Sequence, residues 1–169
     1  HEVSGVVAED PDGVFEIGTP ITPHPATFGD PIPGLENEPH LWPNGAYLGS
    51  ASTWPHTQGG MSEYLLLRHD QVRVLPDGLS LKRAVLAEPT AVNLHAVNMS
   101  KGVKGKKVLV NGAGPIGLLA IGVTKNAGAA QVWASDLYDE PLERAKELGV
   151  DGVINLSNDE VENESFDTV

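Results

Sequence analysis

The chain has two textures along its length. From Lys107 onward, short apolar runs alternate with longer mixed stretches. The runs predict strands over Lys107–Asn111, Gln131–Ser135 and Gly152–Asn155, and the stretches between them predict helices over about Pro115–Ala127 and over Glu140–Leu148. Strands alternating with helices of this length argue for βαβ units and a parallel sheet. Ser165–Val169 reads as the start of a further strand. Upstream the pattern is weaker. Glu63–Leu67 is an apolar run and Gln71–Val74 alternates polar with apolar, as strands with one buried face do. Pro76-Asp77-Gly78 makes a turn, Ser80 is placed to cap a helix over Leu81–Ala87, and Pro89 is placed to begin a second helix reaching about Asn98. Residues 11–45 hold many of the 13 prolines, which suits loops and short edge strands because proline fixes φ and cannot donate to a ladder.

The fold class expected is α/β. Residues 1–100 form a β-rich unit, Lys101–Lys106 is the connection, and residues 101–169 open a doubly wound parallel sheet. No repeat is evident, and Asn158–Glu164 is a short acidic surface run.

Charge narrows the partners. With 11 Lys and Arg against 23 Asp and Glu, a net charge of -12 repels phosphate backbones and anionic lipid headgroups, so nucleic acid is not an expected partner. The longest apolar stretch, near Leu118–Val123, is too short to span a bilayer, and the N-terminus lacks the layout of a signal peptide, so the expected compartment is the cytoplasm. The chain has no cysteine, so any metal must be held by imidazole, carboxylate or water.

The most specific motif is Gly112-Ala113-Gly114-Pro115-Ile116-Gly117, which matches G-x-G-x-x-G between an apolar strand and a helix. Gly112 permits the tight turn, Gly114 lets backbone approach a pyrophosphate, and Gly117 lets the helix pack closely on the strand. The helix N-terminus, with Pro115 and Ile116 in its first turn, offers unpaired N–H groups to the anion. Asp136 ends the second strand, near the spacing at which a carboxylate accepts hydrogen bonds from the adenosine ribose. Its charge disfavours the extra phosphate of NADP, and NAD is the expected cofactor. Taken singly, a glycine turn without a ligand and a helix-capping Asp136 are the plainer readings.

Several motifs together resemble the medium-chain, zinc-dependent dehydrogenase family. They are His1-Glu2-Val3-Ser4-Gly5-Val6-Val7, Gly59-Gly60-Met61-Ser62-Glu63-Tyr64, Leu86-Ala87-Glu88-Pro89 with Ala91-Val92 and His95-Ala96, and Val108–Gly117. Within it, the His1-Glu2 and Glu88-Pro89 pairs resemble the polyol and sugar-acid branch, of the sorbitol and L-idonate 5-dehydrogenase type, and Leu48-Gly49-Ser50-Ala51 with Pro55–Gly60 looks more like the L-idonate type. The resemblance implies a GroES-like catalytic domain followed by a Rossmann domain. It also implies a catalytic zinc held by His1 with Glu2 and Glu88 as carboxylate partners, directly or through a bound water. Zinc would act as a Lewis acid on a secondary hydroxyl, with L-idonate to 5-keto-gluconate the favoured reaction. Without the resemblance, His1 and Glu2 read as solvated residues and Glu88 as an acid near a favourable helix dipole. His24, His40, His56, His69 and His95 read as loop or helix-face residues.

The family's cysteine ligand lies upstream of the His-Glu pair, and the strands that would complete the dinucleotide domain lie downstream of Val169. The sequence is therefore expected to be a middle portion of a longer enzyme; the resemblance implies pairing into a homo-oligomer through the Rossmann sheet edge as one possibility, and the oligomeric state stays open. A structural zinc is expected to be absent, because the family's four-cysteine spacing falls on Phe28, Pro31, Gly34 and Trp42. An apolar plug at those positions and a plain loop of matching length are both open. Two rival functions also stay open: a catalytically incomplete dinucleotide-binding module, and a zinc-free quinone reductase of the same superfamily.

Overall fold

A computed structural model describes the chain except for residue 53 and residues 162–164, so the end of the acidic run Asn158–Glu164 lies outside the described residues. The chain divides into two compact units, His1–Glu88 and Pro89–Val169.

The first unit is built from very short strands. β1 (Gly5–Val6) and β5 (Val72–Val74) flank β2 (Pro20–Pro23) in an antiparallel sheet, with Gly5 opposite Ile21 and Ile21 opposite Val74. Pro20 and Pro23 stand at the two ends of β2, where a missing N–H interrupts least. β3 (Ala26–Thr27) and β4 (Ala46–Tyr47) form a separate antiparallel pair that closes residues 28–45 into a lobe. In that lobe the Trp42 indole N–H donates to the Leu35 carbonyl at 2.8 Å, and the Asp30 N–H donates to the Pro43 carbonyl at 3.0 Å. Gly29 is obligatory there, because a Cβ would lie 1.8 Å from the Pro43 oxygen. Phe28 is half-exposed against the His24 ring, so backbone and indole hydrogen bonds organise the lobe more than apolar filling does.

The expected strand over Glu63–Leu67 is not formed. The run has no ladder partner among the described residues, and Leu66 is 96% exposed. Apolar alternation records a preference for one buried face, but a strand also needs a neighbour for its N–H and C=O groups.

The helical segment after Pro76-Asp77-Gly78 is also shorter than expected. α1 covers Leu81–Ala84, and the Ser80 carbonyl, not its hydroxyl, accepts the first amides, from Arg83 and Ala84. α2 runs Ala87–Met99, two residues ahead of the expected start. Pro89 still falls in its first turn, where the missing N–H would have had no intrahelical acceptor.

The second unit is a parallel sheet. β6 (Lys107–Asn111), β7 (Gln131–Asp136) and β8 (Gly152–Asn155) lie in that order, linked by α3 (Pro115–Asn126) and α4 (Asp139–Glu147). Register runs Val108 to Val132 and Ala134 to Val153. Ile121, Leu142 and Ala145 of the helices meet Val132 and Ala134, two residues apart on one face of β7. Thr168 bridges Val108 in parallel on the open side of β6, so the chain returns beside its first strand after filling the other side. That reversal is the topological switch point of a doubly wound sheet, and ligands bind at the carboxyl ends of the strands there. Among the described residues no helix is long and apolar enough to cross a membrane.

Candidate functional site

The carboxyl end of β6 leads directly into the glycine turn. Gly112 has φ +95°, a left-handed conformation that a side chain would strain, and its N–H donates to the Ser135 carbonyl at 2.8 Å. Gly114 precedes α3 in extended backbone, and a Cβ placed on it meets nothing within 4 Å. The space beside it is open. Gly117 is the opposite case: a Cβ would lie 1.8 Å from the Gly112 carbonyl oxygen and 3.5 Å from the Val110 side chain. The first intrahelical bond runs from Leu118 N–H to the Gly114 carbonyl at 2.9 Å, leaving the amides of Ile116 and Gly117 ahead of it. Pro115 has no amide to satisfy. All four residues from Gly114 to Gly117 line a recess of about 420 Å3, together with Gly112, Val110 and Asn93.

Asp136 reaches back to this turn. One carboxylate oxygen accepts the Ala113 N–H at 2.8 Å, and the other accepts the amides of Leu137 at 2.7 Å and Tyr138 at 3.2 Å. These amides, Ala113 foremost, hold the carboxyl below its usual range. Asp136 therefore tethers the turn to the end of β7 as a carboxylate, and the oxygen that accepts only Ala113 keeps a further lone pair for a hydroxyl donor.

In the first unit, His1, Glu2 and Glu88 come together. One ligand atom from each lies within 4.8 Å of the others, and His1 Nδ1 stands 3.2 Å from Glu88 Oε2. Glu88 sits in the first turn of α2 with its side chain only 10% exposed, a costly place for a carboxylate without a counter-charge. His1 and Glu2 are exposed. The segment carrying them, ahead of β1, is tied down by the Thr22 hydroxyl, which donates to the Val3 carbonyl at 2.8 Å. Gly49, at φ +70°, and Gly59 pass closely enough that a Cβ on either would touch the other's Cα. A Cβ on Gly49 would also meet the His1 nitrogen at 3.7 Å, so the glycines of two separate motifs define the wall beside His1.

Sequence reasoning missed Tyr47. From β4 its hydroxyl donates to Glu88 Oε1 at 2.5 Å, and its ring meets the His1 ring edge-on at 5.5 Å. Partial burial and the Glu88 carboxylate push the phenol's pKa well up, so it stays a donor. Only its place one residue before Leu48-Gly49-Ser50 could have flagged it.

The remaining histidines lie elsewhere. His24 contacts the Ala26 carbonyl, His40 pairs with Glu38, and His56 packs on Trp54. His95 lies within α2. His69 forms a second cluster with Asp10 and Asp12, at 3.0 Å and 4.0 Å. Asp10 there also accepts the Phe15 amide at 2.7 Å, which, with His69, lowers its pKa. That arrangement clasps the loop after β1.

No family model matches the chain. It is 30% identical to L-idonate 5-dehydrogenase (NAD(P)(+)) of Escherichia coli K12, over 96% of this chain and 48% of that protein. It is 39% identical to (R,R)-butanediol dehydrogenase of Bacillus subtilis 168, over 88% and 42%. The crystal structure of the Escherichia coli L-idonate 5-dehydrogenase superimposes with a TM-score of 0.88 at 29% identity, covering 95% of this chain and 47% of that one. Two further neighbours hold nucleotide. An alcohol dehydrogenase from Escherichia coli CFT073 complexed with NADH matches with a TM-score of 0.82 and 31% identity, over 94% and 47%. A zinc-binding dehydrogenase from Sinorhizobium meliloti 1021 bound to NADP matches with a TM-score of 0.84 and 30% identity, over 95% and 46%. The chain spans about half the length of the curated relatives it matches. By sequence and fold its homologues and structural neighbours are zinc-dependent medium-chain polyol and alcohol dehydrogenases.

Proposed function

We propose that the protein oxidises a secondary hydroxyl of a polyol or sugar acid to a ketone, with hydride transfer to a nicotinamide dinucleotide, and that L-idonate to 5-keto-gluconate is its reaction. The observation that carries this is the His1, Glu2 and Glu88 grouping, three donors from two distant segments gathered within 4.8 Å. One imidazole and two carboxylates, with the least exposed carboxylate facing the imidazole, are a donor set suited to a divalent zinc ion. When bound, zinc supplies Lewis-acid chemistry that lowers the pKa of an alcohol oxygen.

The chain's own residues do the rest. Glu88 concentrates negative charge where a cation is to be held, and Glu2 adds a second carboxylate at the exposed side. The amides at the start of α3 bind the pyrophosphate, with Gly112, Gly114 and Gly117 keeping side chains out of its way. Asp136 accepts from the adenosine ribose and repels a 2′-phosphate, which selects NAD over NADP. Relatives holding either nucleotide make that selection a property of this chain's residues rather than of the family. On this reading residues 1–100 belong to the GroES-like catalytic domain and residues 101–169 to the Rossmann domain.

The test is made on the full-length protein carrying this sequence. Zinc-loaded protein should reduce NAD faster than NADP with L-idonate, and sorbitol and (R,R)-butanediol should be poorer substrates. Glu88→Gln should lose both zinc and turnover. Turnover that is unchanged after zinc removal, or no oxidation of any polyol or sugar acid, would overturn the proposal.

A further inference from the structure

Glu88 has two carboxylate oxygens in different surroundings. Oε2 faces His1 Nδ1 at 3.2 Å, whereas Oε1 accepts the Tyr47 hydroxyl at 2.5 Å. Tyr47 and Glu88 are 41 residues apart and come from different elements, a strand and a helix. The same phenol ring packs against His1, so one side chain touches two of the three grouped donors. Its backbone is fixed on both sides: Tyr47 is in register with Ala26, and the next amide, of buried Leu48, donates to the Pro25 carbonyl at 3.0 Å. The hydroxyl is thus delivered by a pinned strand, not by a free loop.

We infer that Tyr47 is a positioning residue for the metal ligand Glu88: its hydroxyl occupies Oε1 and turns Oε2 toward His1 as the single coordinating oxygen. This rests on the reading of His1, Glu2 and Glu88 as a metal site. The physical reason is that a free carboxylate rotates and can offer either oxygen or both. A donor fixed on one oxygen removes that freedom and keeps the ligand set monodentate. Hydrogen-bond partners of metal ligands act in this way, and losing one typically weakens metal binding by about 10- to 100-fold. The ring contact with His1 serves the same end by limiting the tilt of the imidazole.

Tyr47→Phe removes the hydroxyl and keeps the ring. In the full-length protein its Zn2+ affinity, measured by competition with a chromophoric chelator, should fall about tenfold. The NADH affinity should be unchanged, and the melting loss should be smaller in the metal-free than in the zinc-loaded protein. With Co2+ as the probe, the visible absorption bands should shift, because the carboxylate is released to bind through both oxygens. Tyr47→Phe with wild-type Zn2+ affinity and an unaltered Co2+ spectrum, beside a Glu88→Gln variant that loses metal, would overturn the inference and leave the metal site standing. Zinc affinity untouched by Glu88→Gln would overturn the metal site itself, and the inference with it. Equal melting losses in the metal-free and zinc-loaded Tyr47→Phe protein would mark the contact as structural and also overturn the inference.

Discussion

The two units reach stability by different means. In Pro89–Val169, three parallel strands of four to six residues carry two helices, and the core between them holds fully covered side chains: Ile121 is 0% exposed. In His1–Glu88, strands of two to four residues are spliced into long loops, and Ile21, at the centre of the sheet in β2, keeps 8% of its surface. Ile21 also lines an apolar groove of about 500 Å3 beneath the unpaired run Glu63–Leu67. A layered unit derives its stability from burial. A loop-built unit leans on hydrogen bonds between distant segments, such as Thr22 to Val3 and Trp42 to Leu35.

The largest test of this difference is a pair of truncations. Ile121→Ala should cost about 3 to 4 kcal/mol, because its site is fully packed and cannot collapse. Ile21→Ala should cost no more than about 2 kcal/mol, since part of its surroundings is already open. Residue-resolved hydrogen exchange is the proper measurement, because two units need not unfold in one step. Wild-type amides of β6 and β7 should be the slowest to exchange, and those of β1 among the faster. Equal costs at the two isoleucines would break the contrast.

A second test lies within the layered unit. Gly117→Ala places a Cβ 1.8 Å from the Gly112 oxygen, and the backbone must move. The expected loss is about 1 to 3 kcal/mol together with at least a tenfold loss of NADH affinity, read by fluorescence titration. Gly122→Ala, five residues on in the same helix, meets nothing within 4 Å. There alanine should stabilise by about 0.5 to 1 kcal/mol and leave NADH binding alone, because only the helix propensity changes. An equal response at both positions would show that the turn tolerates a side chain after all.

The same contrast governs how much could be read from the sequence. In the layered unit the decisive residues are consecutive. Lys107–Asn111 and Gly152–Asn155 form the strands expected, and the helices end within a residue or so of expectation, because a parallel sheet buries whole runs and its crossovers are local. In the loop-built unit the pairings are non-local, and two-residue strands leave no periodicity to find. Ile21 pairs with Val74 across 53 positions, and no local signal announces it. Glu63–Leu67 shows the converse, an apolar pattern with no ladder partner among the described residues. The candidate metal site divides in the same way. His1 and Glu2 are neighbours in sequence, but Glu88 was joined to them by the family resemblance, not by spacing. Tyr47 was invisible because its meaning lies entirely in a contact 41 residues away.

The smallest effect concerns two aspartates that do the same job in the two units. Asp136 and Asp10 each accept backbone amides that hold a turn, and both have lowered pKa values, through Ala113 and Phe15 respectively. A carboxyl whose folded pKa lies below its unfolded value stabilises the fold fully above that unfolded value, about 3.8, because the unfolded chain takes up the proton first. The contribution is lost as pH falls from there through the lowered pKa. Asp136→Asn should therefore be less stable than wild type at pH 7, and the two should converge near pH 2, flattening the acid limb seen at amides around Gly112. Asp10→Asn should do the same around Phe15, whose amide the carboxylate accepts. Exchange rates followed from pH 7 to pH 2 would separate the two. If Asp136→Asn left the acid limb of the glycine turn unchanged, the carboxylate would not be what ties that turn to β7, and the turn would have to be held by α3 alone.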